Sequence, residues 1–188
     1  MAAAASDVNV NVAELTGHFD IDAYKPYNLV NVGRHVVISF EKTFNFCSEL
    51  KLVNCDRTCS RCRQKLKLSI DRREDHSTPV VFRCTNSKRC KAKCYVSIRD
   101  GSFFEHAKLS LQQVLVIVNL FCSNICSYEQ TQYQTRLTET DTTLSTETVA
   151  DWLSYCREVC LEVILRETST LIGGEGLTVE VDESKFRK

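Results

Sequence analysis

The residues best suited to chemistry are cysteines. Cys59-Ser60-Arg61-Cys62 sets two thiols three positions apart, and Cys84, Cys90 and Cys94 follow after a basic stretch. Two thiolates at that spacing bind one metal ion from a tight turn, and a second pair downstream completes the tetrahedron that zinc prefers in closed structural sites. The pattern predicts a zinc ribbon, with two hairpin knuckles around Zn²⁺ and strands between them. Cys59, Cys62 and Cys84 supply three ligands, and Cys90 or Cys94 supplies the fourth. Cys90 is favoured, because Cys94 opens an alternating stretch (Cys94, Val96, Ile98) that reads as a strand. The competing reading is a set of reduced core cysteines. It fits less well, because these thiols lie among Arg and Lys rather than on an apolar face. His76 sits in the polar connection from Asp71 to Pro79 and reads as a loop residue, since four thiols are already available.

The charge distribution adds a second candidate property. The formal net charge is zero, yet Arg57 to Arg99 holds 13 Lys and Arg against 3 acidic residues. From Glu129 onward the balance reverses, to 12 acidic residues against 6 basic ones. A basic module followed by an acidic one suits a ribbon that faces phosphate. Arg61, Arg63, Lys65, Lys67, Arg83, Lys88, Arg89, Lys91 and Lys93 are the candidate DNA contacts. A merely solvated charged surface accounts for part of the same excess.

These residues need elements to position them. Residues 1–35 carry no helical period and read as a tethering segment. Val37, Phe40, Phe44, Cys47 and Leu50 recur every three or four residues, which predicts an amphipathic helix over 36–54. The ribbon is expected over 55–104, with a half-buried strand at Leu66, Leu68 and Ile70 and another at Val80-Val81-Phe82. Asp100-Gly101 is a turn signal. A helical region then spans 105–170. Its first helix is marked by Leu111, Val114, Leu115, Val118, Phe121 and Cys122, with Ser110 as N-cap. A short helix follows over Ser127–Gln134, then a polar loop over Thr138–Ser145. A long helix from Thr146 to Glu167 carries the stripe Val149, Leu153, Cys156, Cys160, Val163 and Ile164. That outline matches a helix-turn-helix as well as a plain helical bundle, and few basic residues lie where a recognition helix would read bases. Gly173-Gly174-Glu175-Gly176 breaks the helix, and Leu177 to Asp182 alternates as a strand.

Length and composition set bounds. The chain has 188 residues, 43% of them apolar, with 2 Pro and 6 Gly, as expected of a folded protein with one domain or a few small modules. Of its 11 cysteines, Cys47, Cys55, Cys122, Cys126, Cys156 and Cys160 exceed any single metal set. The N-terminus lacks the features of a secretory signal, so reduced thiols in an intracellular compartment are expected. The most apolar run, Leu109 to Cys122, is too short to span a bilayer.

A family resemblance ties these pieces together. Ile172-Gly173-Gly174-Glu175-Gly176, with Val179-Glu180-Val181-Asp182-Glu183-Ser184-Lys185-Phe186, resembles the start of the catalytic domain of Merlin-type transposases. These are eukaryotic DNA transposons related to bacterial insertion-sequence enzymes. Phe82-Arg83-Cys84 and Ser97 to Phe104 are similar to the end of that family's zinc ribbon. Thr148 to Trp152 and Cys156 to Val159 are similar to its helical segment. The resemblance covers roughly residues 40–188. It implies a ribonuclease-H-like catalytic domain in which three acidic residues hold two Mg²⁺ ions for attack on a phosphodiester. Asp182 matches the first of the three. The chain ends at Lys188, before the other two positions, so residues 171–188 would be the truncated first strand of that domain. Asp182 is then a vestigial catalytic residue, and Mg²⁺ belongs only to a complete domain. Glu183 is no second ligand, because adjacent strand residues point to opposite faces.

The expected fold is therefore α+β: a small zinc ribbon flanked by helices, a helix-turn-helix-like segment and the start of a ribonuclease-H-like domain. The expected function is that of a transposase-derived DNA-binding fragment, with structural zinc and no catalysis as the chain stands. The alternatives are the front part of an active transposase cut short by the gene model, and a zinc-stabilised protein-interaction module. Duplex DNA and a second copy of the chain are the expected partners, without a membrane or a small-molecule substrate. The resemblance implies nuclear residence.

Overall fold

Short elements, each stopped by a local signal, build a mixed α+β chain of five helices and one three-stranded antiparallel sheet. The structure is a computed structural model, and it describes residues 11–16, 19–71, 78–86, 88–90, 94–139, 141–167 and 173–180. After short 3-10 turns at Val12–Thr16 and Asp22–Tyr24 come helix α1 (Leu29–Asn31) and a π turn at Val32–Val36. Helix α2 (Phe40–Glu49) leads into the ribbon strands β1 (Lys67–Ile70), β2 (Val80–Arg83) and β3 (Tyr95–Ser97). Helices α3 (Leu111–Cys122), α4 (Tyr128–Gln134) and α5 (Thr146–Glu167) follow.

The apolar stripe expected over 36–54 is a helix only from Phe40 to Glu49. Ser39 sets the start: its side chain accepts a hydrogen bond from the Lys42 N–H at 3.3 Å, which satisfies a donor the first turn would otherwise leave open. Phe40, Phe44 and Cys47 are buried, at intervals of four and three residues, while Leu50 lies outside the helix and is exposed. Burial pushes the Cys47 thiol up to about 12, so it is a neutral core residue.

Residues 11–16 and 19–35 do not form a loose tether. Leu15, Phe19 and Val32 are buried in the core. Phe19 and Tyr27 both set their rings edge-on to Phe46, at centroid distances of 5.5 and 5.9 Å. The Asn119 amide donates to the Tyr27 carbonyl at 2.7 Å and so fastens this segment to α3. Its apolar residues sit on 3-10 and π turns, so no single period links them in the sequence.

The ribbon sheet runs β1-β2-β3, with Leu68 opposite Phe82 and Phe82 opposite Val96. That row faces the core. Both strands read from the sequence are present, and β3 accounts for the alternation after Cys94. After β3 the chain turns at Gly101, whose φ of +64° suits a residue without Cβ. Arg99, just before the turn, is buried. Its Nε donates to Thr78 Oγ1 at 2.7 Å and its Nη1 to the Ala107 carbonyl at 2.8 Å. Burial lowers its pKa to about 10, which still leaves it charged at neutral pH. One guanidinium thus joins the start of the β2 region to the segment that enters α3.

Helix α3 begins with a capping box. Ser110 Oγ accepts from the Gln113 N–H at 3.1 Å, and the Gln113 side chain accepts from the Ser110 N–H at 3.0 Å. The sequence suggests one apolar face, but Leu111, Val114, Leu115, Val116, Ile117 and Leu120 are all buried, whereas Val118 and Phe121 are half-buried and Cys122 is exposed. The cause is position: α3 touches α1, α2, α4, α5 and the π turn, so it is covered from several sides. Helix α5 spans the residues expected of it, and Ser145 Oγ accepts from the Thr148 N–H at 3.1 Å. Its stripe is buried only at Val149, Trp152, Leu153 and Cys156, while Cys160, Val163 and Ile164 are exposed because no described element packs there. Among the described residues, Leu177 to Glu180 form no strand, and Asp182 lies outside them. A ribonuclease-H-like domain is not part of the described fold.

Arg99 carries charge in a buried position, so removing it leaves Thr78 Oγ1 and the Ala107 carbonyl without their donor. Arg99→Ala is expected to lower unfolding stability by about 2–4 kcal/mol. Urea denaturation followed by circular dichroism checks this, and a loss below about 0.5 kcal/mol, the range of ordinary surface substitutions, would contradict it.

Candidate metal centre

Both knuckles are closed by the backbone. In the first, the Cys59 N–H donates to the Gln64 carbonyl and the Arg63 N–H to the Cys59 carbonyl, each at 2.8 Å, while Arg63 takes a left-handed φ of +60° to complete the reversal. In the second, the Cys84 N–H donates to the Cys94 carbonyl and the Cys90 N–H to the Asn86 carbonyl, each at 2.9 Å. Asn86 Oδ1 also accepts from the Arg89 N–H at 3.1 Å. Local turn chemistry therefore aims two pairs of thiols at each other from the same end of the β1–β2 pair.

The sulfurs of Cys59, Cys62, Cys84 and Cys90 all lie within 4.8 Å of one another. Cys59 Sγ is 3.6 Å from Cys90 Sγ, and Cys62 Sγ is 3.6 Å from Cys84 Sγ. A tetrahedral ion about 2.3 Å from each sulfur needs edges of about 3.8 Å, so the set fits a four-coordinate metal ion. A disulfide needs about 2.05 Å between sulfurs, and all 11 cysteines are free thiols. Cys94 is not in the cluster. Its carbonyl is committed to the Cys84 N–H at the end of the sheet.

The electrostatics also suit a cation. The backbone N–H groups of Cys62 and Arg61 hold the Cys59 thiol down at about 6. The Asn86 N–H lowers the Cys84 thiol, but burial and its sulfur neighbours outweigh that and raise it. Cys90 is raised strongly, first by burial and then by Cys62, Cys59 and Cys84. Crowded thiols cannot all ionise beside one another, and a central divalent cation removes that penalty and makes all four thiolates. Cys59 and Cys90 are buried and Cys62 and Cys84 half-buried, which is the enclosure of a structural site rather than one with an open position.

The basic residues surround this centre unevenly. Arg61, Arg63, Lys65, Lys67, Lys88 and Arg89 are exposed. Lys65 makes an exposed ion pair with Asp56 at 2.6 Å. Lys91, Lys93 and His76 lie outside the described residues. Strand register brings out something the sequence did not reveal: Lys67 is directly opposite Arg83, and Arg83 directly opposite Tyr95. Facing residues of antiparallel strands project from one side, so a Lys–Arg–Tyr row crosses the sheet at its metal end. Two cations directly opposite each other repel. Among the described residues, Arg83 Nε is buried without a hydrogen-bond acceptor. Tyr95 was missed as a site residue, because only pairing shows that it joins the row.

Helix α5 offers a different surface. Glu147, Asp151, Glu158, Glu162 and Glu167 outnumber Arg157 and Arg166 along it, and Arg166 is already paired with Glu162 at 2.8 Å. Its C-terminal half exposes Val159, Leu161, Val163, Ile164 and Leu165, the last at 66%. No described helix is long and apolar enough to cross a membrane.

Fold and centre together define a mixed α+β chain with a small three-stranded sheet and four cysteines close enough to hold a metal ion. Comparison with protein-family models, with curated proteins and with solved structures finds no match.

Cys59→Ser and Cys62→Ser are each expected to remove about one metal equivalent per chain, with loss of ribbon structure, because site closure and ribbon folding are one equilibrium. Elemental analysis beside near-ultraviolet circular dichroism measures both. Cys94→Ser should keep the full metal content, and a loss equal to that of Cys59→Ser would place the fourth ligand at Cys94.

Proposed function

We propose that this chain is a zinc-ribbon module that binds the phosphate backbone of duplex DNA and derives from a transposase. Four thiols in a closed tetrahedral set favour zinc, a thiophilic ion without a redox role, held structurally. The observation that carries the DNA reading is the row of Lys67, Arg83 and Tyr95 beside the metal centre. An anion between Lys67 and Arg83 relieves their repulsion and gives the guanidinium an acceptor, and the planar tyrosine beside it offers a further contact. Exposed Arg61 and Arg63 on the first knuckle and Lys88 and Arg89 on the second extend the same positive surface. The acidic face of α5 argues against groove insertion by that helix, so the ribbon rather than the helix-turn-helix-like region makes the contact. The transposase origin and nuclear residence rest on the resemblance of residues 40–188, and no catalytic step is assigned to Asp182.

A second reading has its own support. The exposed apolar half of α5 is larger than scattered surface residues explain, and it favours an interaction module that self-associates. Sedimentation of the zinc-loaded chain with and without duplex DNA separates the two readings.

Binding of a short duplex, followed by fluorescence anisotropy, is expected at low salt. The logarithm of affinity should fall linearly with the logarithm of salt, with a slope of about −0.9 per phosphate contacted. Lys67→Ala and Arg83→Gln should each weaken binding across unrelated sequences and reduce the slope by about 1. Absence of duplex binding at low salt by the zinc-loaded chain overturns the proposal.

A further inference from the structure

A groove of about 1030 Å³ runs between α5 and the segment 103–109. Thr148, Trp152, Tyr155, Val159, Glu162 and Arg166 line it along α5. They are spaced alternately four and three residues apart, the interval at which one helix presents a straight seam to another. The seam is about 27 Å long, or about five turns. Phe103, Leu109 and Leu144 add apolar surface from outside α5, while Leu161, Ile164 and Leu165 do not line the groove. Trp152 is buried, with Phe103 and Tyr155 each edge-on to it at 5.6 Å, at 74° and 84°. Phe103 and Tyr155 keep exposed surface, as do Val159 and Val163 on the same side of the helix. The exposed aromatics are thus held in place before anything docks, which lowers the ordering cost of binding. Charge in the groove is one-sided. Glu105, Asp151, Glu158 and Glu162 line it against Lys108 and Arg166. Arg166 is already paired with Glu162 at 2.8 Å, which leaves Glu105, Asp151 and Glu158 against Lys108, with His106 3.5 Å from Glu105.

We infer that this groove docks an amphipathic helix of a partner protein, apolar on one face and flanked there by Lys or Arg. The seam sets the shape of the occupant: a helix of about five turns, lying at a small angle to α5. Phe103 and Tyr155 are its anchors, because aromatic side chains at the centre of a contact carry much of its energy. The acidic rim sets its charge, since complementary potentials steer a partner in and like charges turn it away. The same carboxylates repel the phosphates of a duplex. A second copy of α5 carries the same excess of acid and is disfavoured there for that reason. The groove lies apart from the row of Lys67, Arg83 and Tyr95, so it can be filled whether or not the ribbon holds DNA.

The test uses the full zinc-loaded chain and two labelled synthetic helical peptides of about five turns. Both peptides carry the same leucine seam, flanked in one by lysines and in the other by glutamates. Fluorescence anisotropy at low salt is expected to show the lysine peptide binding at least about tenfold more tightly than the glutamate peptide. Tyr155→Ala should weaken the lysine peptide by about tenfold or more. The double variant Asp151→Lys/Glu158→Lys should reverse the preference. Leu165→Ser, outside the groove, should leave binding unchanged. All the substituted positions are exposed, and circular dichroism checks that each variant keeps the helix content of the parent. Absent or equal binding of the two peptides overturns the inference, as do equal losses from Tyr155→Ala and Leu165→Ser. Sedimentation supplies the last arm: a parent dimer that Tyr155→Ala converts to monomer would give the groove to a second copy and overturn it too.

Discussion

Four thiols drawn within 4.8 Å of one another are the constraint on which the ribbon depends. Its strands have four, four and three residues, shorter than a sheet normally needs to stand without help. The core-facing side of the sheet is small, with Leu68, Phe82 and Val96 in one row and Val80 beside them on β2. The knuckle hydrogen bonds set the directions of the sulfurs, but they also force like-charged ligands together. The four thiols are close enough to hold a metal ion, and such a cation would turn that crowding from a cost into a fastening of both hairpins.

Attachment of the ribbon to the helices works differently. Arg99 reaches from the end of β3 to Thr78 and to Ala107, spanning the sheet and the approach to α3 with one side chain. Phe103 continues the contact, with its ring edge-on to Trp152 of α5 at 5.6 Å. Helix α3 then acts as the common core element, covered by α2 on one side and by α4 and α5 on others. The N-terminal turns close the remaining side through Phe19, Tyr27 and the Asn119 hydrogen bond. Positive charge is thereby gathered on the ribbon, while the acidic residues remain on the helical side.

The exposed basic residues of the ribbon and the exposed apolar half of α5 lie on different parts of the described chain. On the ribbon, Arg61, Arg63, Lys65, Lys67, Lys88 and Arg89 are exposed, and Arg83 is half-buried between Lys67 and Tyr95. The far half of α5 instead exposes Leu161, Ile164 and Leu165.

Much of this was legible in the sequence because it depends on local chemistry. Spacing announced Cys59, Cys62 and Cys84 as metal ligands and left the fourth between Cys90 and Cys94, and the sulfur cluster holds Cys90. Ser110 with Gln113 announced the start of α3, and the period from Val149 to Cys156 announced the buried face of α5. Local signals fail where burial is decided by neighbours distant in the chain. Leu15 and Phe19 looked like parts of a tether because their turns have no repeat, and only contact with α2 makes them core. The α5 stripe continued past Cys156 in the sequence but not in the packing, since period records which residues share a face and not whether anything covers it. Tyr95 joined Lys67 and Arg83 only through strand register. Sequence by itself determined three of the four clustered cysteines, the starts of α3 and α5 and the charge division, all of which are short-range or compositional. Tertiary structure alone decided which apolar faces are covered and which basic residues stand in one row, because both depend on contacts between residues far apart in the chain.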